Sequence, residues 1–538
     1  MRLLAAGGLT LAVAACGTQA AAGSGDSTPP ATRSGPASSG ASPAMRDAAA
    51  GLPDPVRVVY VSPSGGGNGS KADAPTKLQR AVDGSKPGDE IQLLAGDYEG
   101  KIRVSTGGTP EHPVVIRNRP GDIPRLKGWI HVDDGVPSVW IVGLDVSYPR
   151  PPAEKGDVCI QLQGPDVRVI NNYIHDCGRN GISAWRPNRS KAPGQLIYGN
   201  VIARSDHGVY IQNRYDEDGY KKFLRNLVLD SQTGCDKNCF SFHGYTEHGW
   251  NSGIWVEESI FRGARFILGG TNSHTRHSVV KGNVFYAASP QIAYTSPAQH
   301  DEISGNVVYK SALTVGYWAT DGPSRLTNNE LMNAAPGVEI NDLRPVGEGE
   351  APAAVKGQGG KSYKTKPEKG SPQPARFNPK DVIDGNTYLA DEGGSIRSTW
   401  WLPNDRKSCC KEKTLADLRA DLQATGCANC EAKGKTIAAP VSPRVFLWGN
   451  AYEKGRGELA IYRNAAAAGG GTAVPVDLSP VVESGGGYAI VKAADGPGST
   501  PVLSGTYQGG TVNVPVAGEF EAFLVLPVVA PAVPTPAQ

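Results

Sequence analysis

Short apolar runs recur along the middle of the chain, each interrupted by an asparagine in the same place. The runs are Val169-Ile170-Asn171-Asn172-Tyr173-Ile174, Ile197-Tyr198-Gly199-Asn200-Val201-Ile202 and Leu224-Arg225-Asn226-Leu227-Val228. They continue as Val280-Lys281-Gly282-Asn283-Val284-Phe285, Ile303-Ser304-Gly305-Asn306-Val307-Val308 and Leu326-Thr327-Asn328-Asn329-Glu330-Leu331. Between Asn226 and Asn283, Glu258 takes the asparagine's place in Val256-Glu257-Glu258-Ser259-Ile260. The steps are 28, 26, 32, 25, 23 and 23 residues. A period of this size in short β-type runs signals a solenoid, whose turns bury their apolar sides only by stacking. Stacked asparagines then hydrogen-bond along a ladder, as they do in other in-register stacks. The expected fold is all-β: a right-handed parallel β-helix followed by a small C-terminal β-sandwich.

The unequal steps locate the working surface. A step of 23 is close to one bare coil, whereas the longer steps push extra residues out between Asn172 and Glu258. Insertions in a repeat array fall on loops, often on one binding face.

Before the repeats, Leu78 to Val82 has a helical pattern suited to capping the open end of a stack. Pro87-Gly88-Asp89-Glu90-Ile91-Gln92-Leu93-Leu94-Ala95-Gly96-Asp97-Tyr98 then reads as strand and turn. This opening resembles the start of parallel β-helix proteins of the pectate-lyase-like superfamily, over about Val56 to Leu331. The superfamily includes polysaccharide lyases, hydrolases and epimerases, so the resemblance implies the fold and leaves the reaction open. Residues 347–379 are rich in Gly, Pro, Lys and Glu and read as a disordered insertion. Asn386-Thr387-Tyr388 looks like one more ladder turn. From about 441 to 530 short alternating strands with glycine turns suggest the sandwich. It resembles the β-domains that follow catalytic modules in carbohydrate-active enzymes.

Composition narrows the function. A net charge of +2 supplies no basic field for nucleic acid. Leu11-Ala12-Val13-Ala14-Ala15-Cys16 closes a short apolar stretch and resembles a bacterial lipoprotein signal, which implies lipidation at Cys16. Residues 1–16 are thus the expected signal, 17–55 an Ala/Gly/Ser/Pro linker and 56–440 the β-helix. The expected location is the bacterial cell envelope, reached by export, with the chain lipid-anchored to a membrane or secreted. The other eight cysteines are Cys159, Cys177, Cys235, Cys239, Cys409, Cys410, Cys427 and Cys430. In an exported chain they favour disulfides, although the last four also have zinc-ligand spacing. Three methionines argue against a metal-handling role.

Candidate chemistry concentrates where the coils are aligned on the ladder. Asn180-Gly181-Ile182-Ser183-Ala184-Trp185 pairs with His207-Gly208-Val209-Tyr210-Ile211-Gln212, then with Asn238 to His243 and Arg265 to Gly269. In this register Ile182, Val209, Phe240 and Phe266 face the core. Asn180, His207, Asn238 and Arg265 form one outer line; Ser183, Tyr210, Ser241 and Ile267 form another. Trp185, Gln212 and His243 share a third. His207, Tyr210 and Arg265 are the catalytic candidates: a base, a proton donor and a carboxylate-neutralising cation. Asn180, Gln212, Asn213, Arg214, Lys222 and His243 are the candidate substrate contacts. These roles are what β-elimination of a uronic-acid polymer requires. The alternatives are a glycoside hydrolase and a non-catalytic surface carbohydrate-binding or adhesive protein. The paired aspartates of pectin hydrolases, the Tyr/Asp signature of alginate epimerases and the Lys/Arg pattern of the best-known β-helix lyases are not found.

Weaker features remain. Asp216-Glu217-Asp218-Gly219 suggests Ca2+ or a solvated turn, and His175-Asp176 a strand end. His274 and His277 form a pair with no third metal ligand in sight. Tyr245, Trp250, Trp255, Tyr317 and Trp318 could stack on sugar rings. The expected partners are a polysaccharide and a membrane, and the chain is expected to act as a monomer.

Overall fold

The computed structural model of the protein describes residues 42, 44–45, 51–149, 158–184, 193–231, 239–244, 249–269, 273–292, 298–311, 313–315, 324–332, 339–340, 382–389, 396–397, 412–424, 427, 429–437, 442–463 and 473–528. All of them belong to one compact unit, Thr32–Gln538. Among them no helix is long and apolar enough to cross a membrane. Cys16, Trp185, Cys235, Asn238, Tyr245, Tyr317, Trp318, residues 347–379, Cys409 and Cys410 lie outside the described residues, as do the side chains of Trp250 and His274.

The body is a parallel β-helix. One ladder of 12 parallel strands runs from Arg57–Val61 to Val382–Asp384. The next strand of each coil forms a second ladder, through Asp145–Ser147, Tyr173–His175, Val201–Ser205 and Leu227–Ser231 onward. The strand after that forms a third, through Val158–Leu162, Asn180–Ala184, His207–Ile211, Phe240–Gly244 and Arg265–Leu268. In the first coils two long strands, Gly96–Val104 and Pro124–Val132, span both of these faces. The helix Leu78–Asp83 buries Leu78, Ala81 and Val82 over the open end of the core.

The asparagine column stands at the corner between the first and second ladders. The backbone N–H of Leu144 donates to Asn172 Oδ1 (2.9 Å), that of Asn172 to Asn200 (2.9 Å) and that of Asn200 to Asn226 (2.9 Å). The Asn226 N–H donates to Ser259 Oγ (3.1 Å), and the Ser259 N–H to Asn283 (2.9 Å). The column then passes through Asn306, Asn329 and Asn386. So Ser259, not Glu258, fills the gap in the series. Glu258 sits one residue earlier, at the left-handed corner also occupied by Asn171, Gly199, Arg225, Gly282, Gly305 and Asn328, all with positive φ. That conformation suits Gly and Asn. Glu258 tolerates it while its carboxylate pairs with Arg225 in the coil before, at 2.7 Å.

A disulfide joins Cys159 to Cys177, and another joins Cys427 to Cys430; Cys239 is also disulfide-bonded. A short helix spans Leu415–Ala424.

The C-terminal region is a sandwich of a five-stranded antiparallel sheet and a strand pair, Ala473–Asp477 with Thr511–Pro515. Val445, Leu459, Ile461, Val474, Ile490 and Phe523 fill its core. The other face of its large sheet presents Phe446, Trp448, Tyr462, Phe520 and Leu524 to Val201, Leu227, Ile260, Val284 and Tyr309 of the second ladder. The rings of Tyr309 and Tyr462 stack at 3.9 Å. Within the stretch read as a linker, Ala44 and Met45 are buried against Trp140, Leu196 and Tyr198 of the first ladder, and Ser42 donates to Glu257 (2.6 Å). The sandwich therefore covers the outer side of the second ladder from Tyr173 to Tyr309 and the first is partly covered, while among the described residues no other element packs on the third.

Candidate functional site

Two outer lines run along the third ladder. Along one stand Asn180, His207, Phe240 and Arg265; along the other stand His131, Gln161, Ser183, Tyr210, His243, Ile267 and Gln291. A local distortion creates the first line. A Cβ on Gly181 would meet Ile202 Cγ2 at 2.7 Å, and one on Gly208 would meet Val228 Cγ1 at 2.5 Å, so both glycines face the core. Their neighbours Ile182 and Val209 also face it, with no exposure. Two consecutive inward residues are a bulge-like break in alternation, of the kind that re-aims a side chain beside a site. It turns Asn180 and His207 outward.

Most of the expected strip is assembled, with one shift of register. Val209 lies opposite Phe242 and Tyr210 opposite His243. The expected partner of Val209 was Phe240, two residues earlier. Phe242 is therefore the core residue, and Phe240 moves out to join His207. His243 stands beside Tyr210 rather than beside Gln212. The rings of His207, Phe240 and His243 form a cluster: His207 to Phe240 is 5.1 Å, His207 to His243 5.3 Å, and Phe240 to His243 4.4 Å and stacked. Tyr210 meets His243 edge-on at 5.4 Å, and its hydroxyl accepts from Gln212 Nε2 at 2.9 Å. The Arg265 guanidinium lies over the Phe240 ring at 5.4 Å and donates to Gln291 (3.0 Å).

Three expected contacts lie elsewhere. Asn213 is buried, and its amide donates to the carbonyls of Gly219, Ser252 and Gly253, so it serves the coil. Arg214 pairs with Glu217 at 3.2 Å beside the short helix Tyr215–Asp218. Lys222 is on the first ladder, opposite Trp255. In the acidic turn, Asp216 faces Arg276 at 3.8 Å. Among the described residues no three His, Cys, Asp or Glu side chains converge as metal ligands. His175 is held between Asp145 (2.9 Å) and Asp176, with Arg204 bridging to the Ala494 carbonyl of the sandwich. Trp255 donates to Glu257 at 2.9 Å.

The electrostatics of the cluster are unusual. Burial, helped by the nearby Arg179 cation, lowers the pKa of His207 to about 4. Burial, then His207, Arg265 and Arg179, lowers that of His243 to about 3. Both imidazoles are thus neutral at neutral pH, between two cations. Among the described residues, His207 Nδ1 and Asn180 Oδ1 are buried without a hydrogen-bond partner. Burial raises the pKa of Asp206, against the pull of Arg179. Neither outer line contains an Asp or Glu among the described residues.

Arg179 is the residue that sequence reasoning missed. It lies in the turn before Asn180, and its carbonyl accepts from the His207 N–H at 2.8 Å. Its signal was the Gly178-Arg179 turn directly preceding the aligned strand. His131 and Gln161 were missed because the asparagine column begins only at Asn172 and gives no register before it.

Residues 102–244 match the family model DUF1565, described as a protein of unknown function. No curated protein matches the chain in sequence. Among solved structures, the chain is similar to a pectate lyase at 16% identity, covering 55% of this chain and 80% of that one, with a TM-score of 0.34. It is also similar to an alginate lyase from Paenibacillus sp. str. FPU-7 (16% identity, 53% and 99% coverage, TM-score 0.35). A third is a mannuronic-acid-specific polysaccharide family 6 lyase from human gut microbiota (13% identity, 72% and 92% coverage, TM-score 0.37).

Proposed function

We propose that the protein is a polysaccharide lyase that cleaves uronic-acid-containing glycans by β-elimination, with its centre at His207, Tyr210, His243, Arg179 and Arg265. The supporting observation is a pair of neutral imidazoles held between two arginines on an open, straight face. An arginine fork neutralises the uronate carboxylate and so acidifies the neighbouring C–H. A neutral His207 takes that proton; the electron pair forms a carbon–carbon double bond and expels the glycosidic oxygen. Tyr210 gives its proton to that oxygen, and Gln212 holds the phenol in place. Burial does most to depress the histidines, and the incoming carboxylate offsets only the smaller contribution of the arginine charge.

Hydrolysis is the weaker reading, because it needs a close pair of carboxylates and the two outer lines supply none. A non-catalytic glycan-binding role has one observation in its favour: histidines with such low pKa values are weak bases in the empty site. The signal-like start and Cys16 support an envelope location through a lipid anchor.

The test incubates the full chain with acidic and neutral polysaccharides. It follows ultraviolet absorbance from the new double bond together with release of reducing ends. Absorbance that is lost in His207→Ala is the expected result. Reducing ends without absorbance would replace elimination with hydrolysis, and tight binding with neither signal would leave a binding protein.

A further inference from the structure

The third face does not end at the histidine cluster. His131 lies on the same outer line as Tyr210, three strands away through Gln161 and Ser183. At the usual strand spacing that is about 14 Å along the solenoid axis. Two residues before His131, Trp129 also faces outward, half-buried, its ring tilted against that of His131 at 5.4 Å. The His131 ring is fixed by Gln163, 2.9 Å from its Nε2. The exposed Lys101, opposite Trp129 on the neighbouring strand, carries its ammonium 5.7 Å from the indole centroid.

The surrounding charges set Lys101 apart. Arg103 is held by Asp133 at 2.7 Å; Arg125 and Lys127 are both held by Asp97, at 2.7 and 3.0 Å. Among the described residues Lys101 has no carboxylate partner. A half-buried indole with an exposed, unneutralised lysine over it matches a sugar ring bearing a carboxylate: the mobile lysine swings aside, the ring's C–H face stacks on the indole and the carboxylate pairs with the ammonium. We infer that Trp129 and Lys101 form a distal subsite for a uronate unit of the same polymer that occupies the histidine cluster. This rests on the lyase reading of that cluster. A chain long enough to reach both places gains contacts that a short one lacks, so the subsite selects for polymer length.

The experiment compares wild type, Trp129→Ala, Trp129→Phe and Lys101→Gln, using polygalacturonate and alginate as probes together with their disaccharides and long oligomers. Calorimetric binding and steady-state kinetics are measured for each. Trp129→Ala is expected to raise Kd and KM for the polymer roughly tenfold with kcat unchanged, and to leave the disaccharide unaffected. Trp129→Phe should restore most of the loss, which separates a stacking role from a folding defect. Lys101→Gln should weaken binding of the free polyuronate more than of its methyl ester. Equal losses on long and short substrates, or no loss on the polymer, would overturn the subsite while leaving the lyase reading intact. Failure of the wild type to bind any polyuronate would overturn both.

Discussion

The asparagine column and the third-face strip are both stacks of side chains repeated once per coil, yet they are built to opposite ends. In the column every amide is spent. Asn283 accepts from the Ser259 N–H and donates to the Val256 carbonyl and Asn306 Oδ1. In the strip, Asn180 and His207 keep buried polar atoms with no partner among the described residues. The column lies inside and its ligand is the next coil. The strip lies outside, where the proposed glycan would be its partner. A closed stack fixes register; an open one keeps binding energy in reserve.

Substitutions should separate the two. Asn283→Ala takes the acceptor from the buried Ser259 N–H and a donor from the Val256 carbonyl, while Asn306 Oδ1 keeps the Asn283 N–H; at about 1–3 kcal/mol for each group left unpaired, this is the largest stability loss expected. Denaturant unfolding would show it, and a wild-type midpoint would mean the column does not hold the coils together. His207→Ala should leave that midpoint near wild type while lowering kcat by about 10²–10⁴ fold, the usual contribution of a positioned base. Gly208→Ala falls between the regions: its Cβ would press on Val228 and the Ser241 carbonyl, both at 2.5 Å. It should cost about 1–3 kcal/mol and also displace His207, so that stability and activity fall together.

The pH dependence is a smaller but cleaner contrast. The histidines of the strip titrate near 4 and 3 when folded, against about 6.5 unfolded. Between those values the unfolded chain binds more protons, so their contribution is complete above pH 6.5 and fades as pH falls toward 4. Thermal melts of wild type and a His207→Gln/His243→Gln double variant should converge at neutral pH. The wild type should lose more stability on acidification; parallel curves would show that the rings are not buried as described. Arg179→Gln removes the cation that adds to burial in lowering His207. The acid limb of kcat/KM should move to higher pH, by less than one unit.

The column was nearly all legible in the sequence because an inward polar residue in an apolar run has few explanations. It misled at Glu258 alone, where Ser259 does the same work with a shorter side chain. The strip was legible from Asn180 to Tyr210 because Gly181 and Gly208 mark the same break in two coils. Beyond Ser231 an insertion hides the count, and the alignment slipped by two residues, exchanging Phe240 with Phe242. The slip carried Phe240 out of the expected core and buried Ser241, while His243 stayed outward and moved beside Tyr210. Lys222 was misplaced because it lies within the strand Lys221–Leu224 of the first ladder, and Asn213 for another reason. Polar residues just past a strand end look the same in sequence whether they turn outward or satisfy the coil's own carbonyls.

The sealed contact between the sandwich and the second ladder has a consequence for avidity. Modules that bind sugars from the end of a flexible tether raise the effective concentration of substrate over a range set by tether length. Here Tyr462 is stacked on Tyr309, and the sheet that carries it is packed along the coils. Any glycan this region held would be presented at one distance and one angle from the third face. Its help would go to chains whose own geometry spans that fixed gap, and lengthening the connection near residue 441 would not extend its reach.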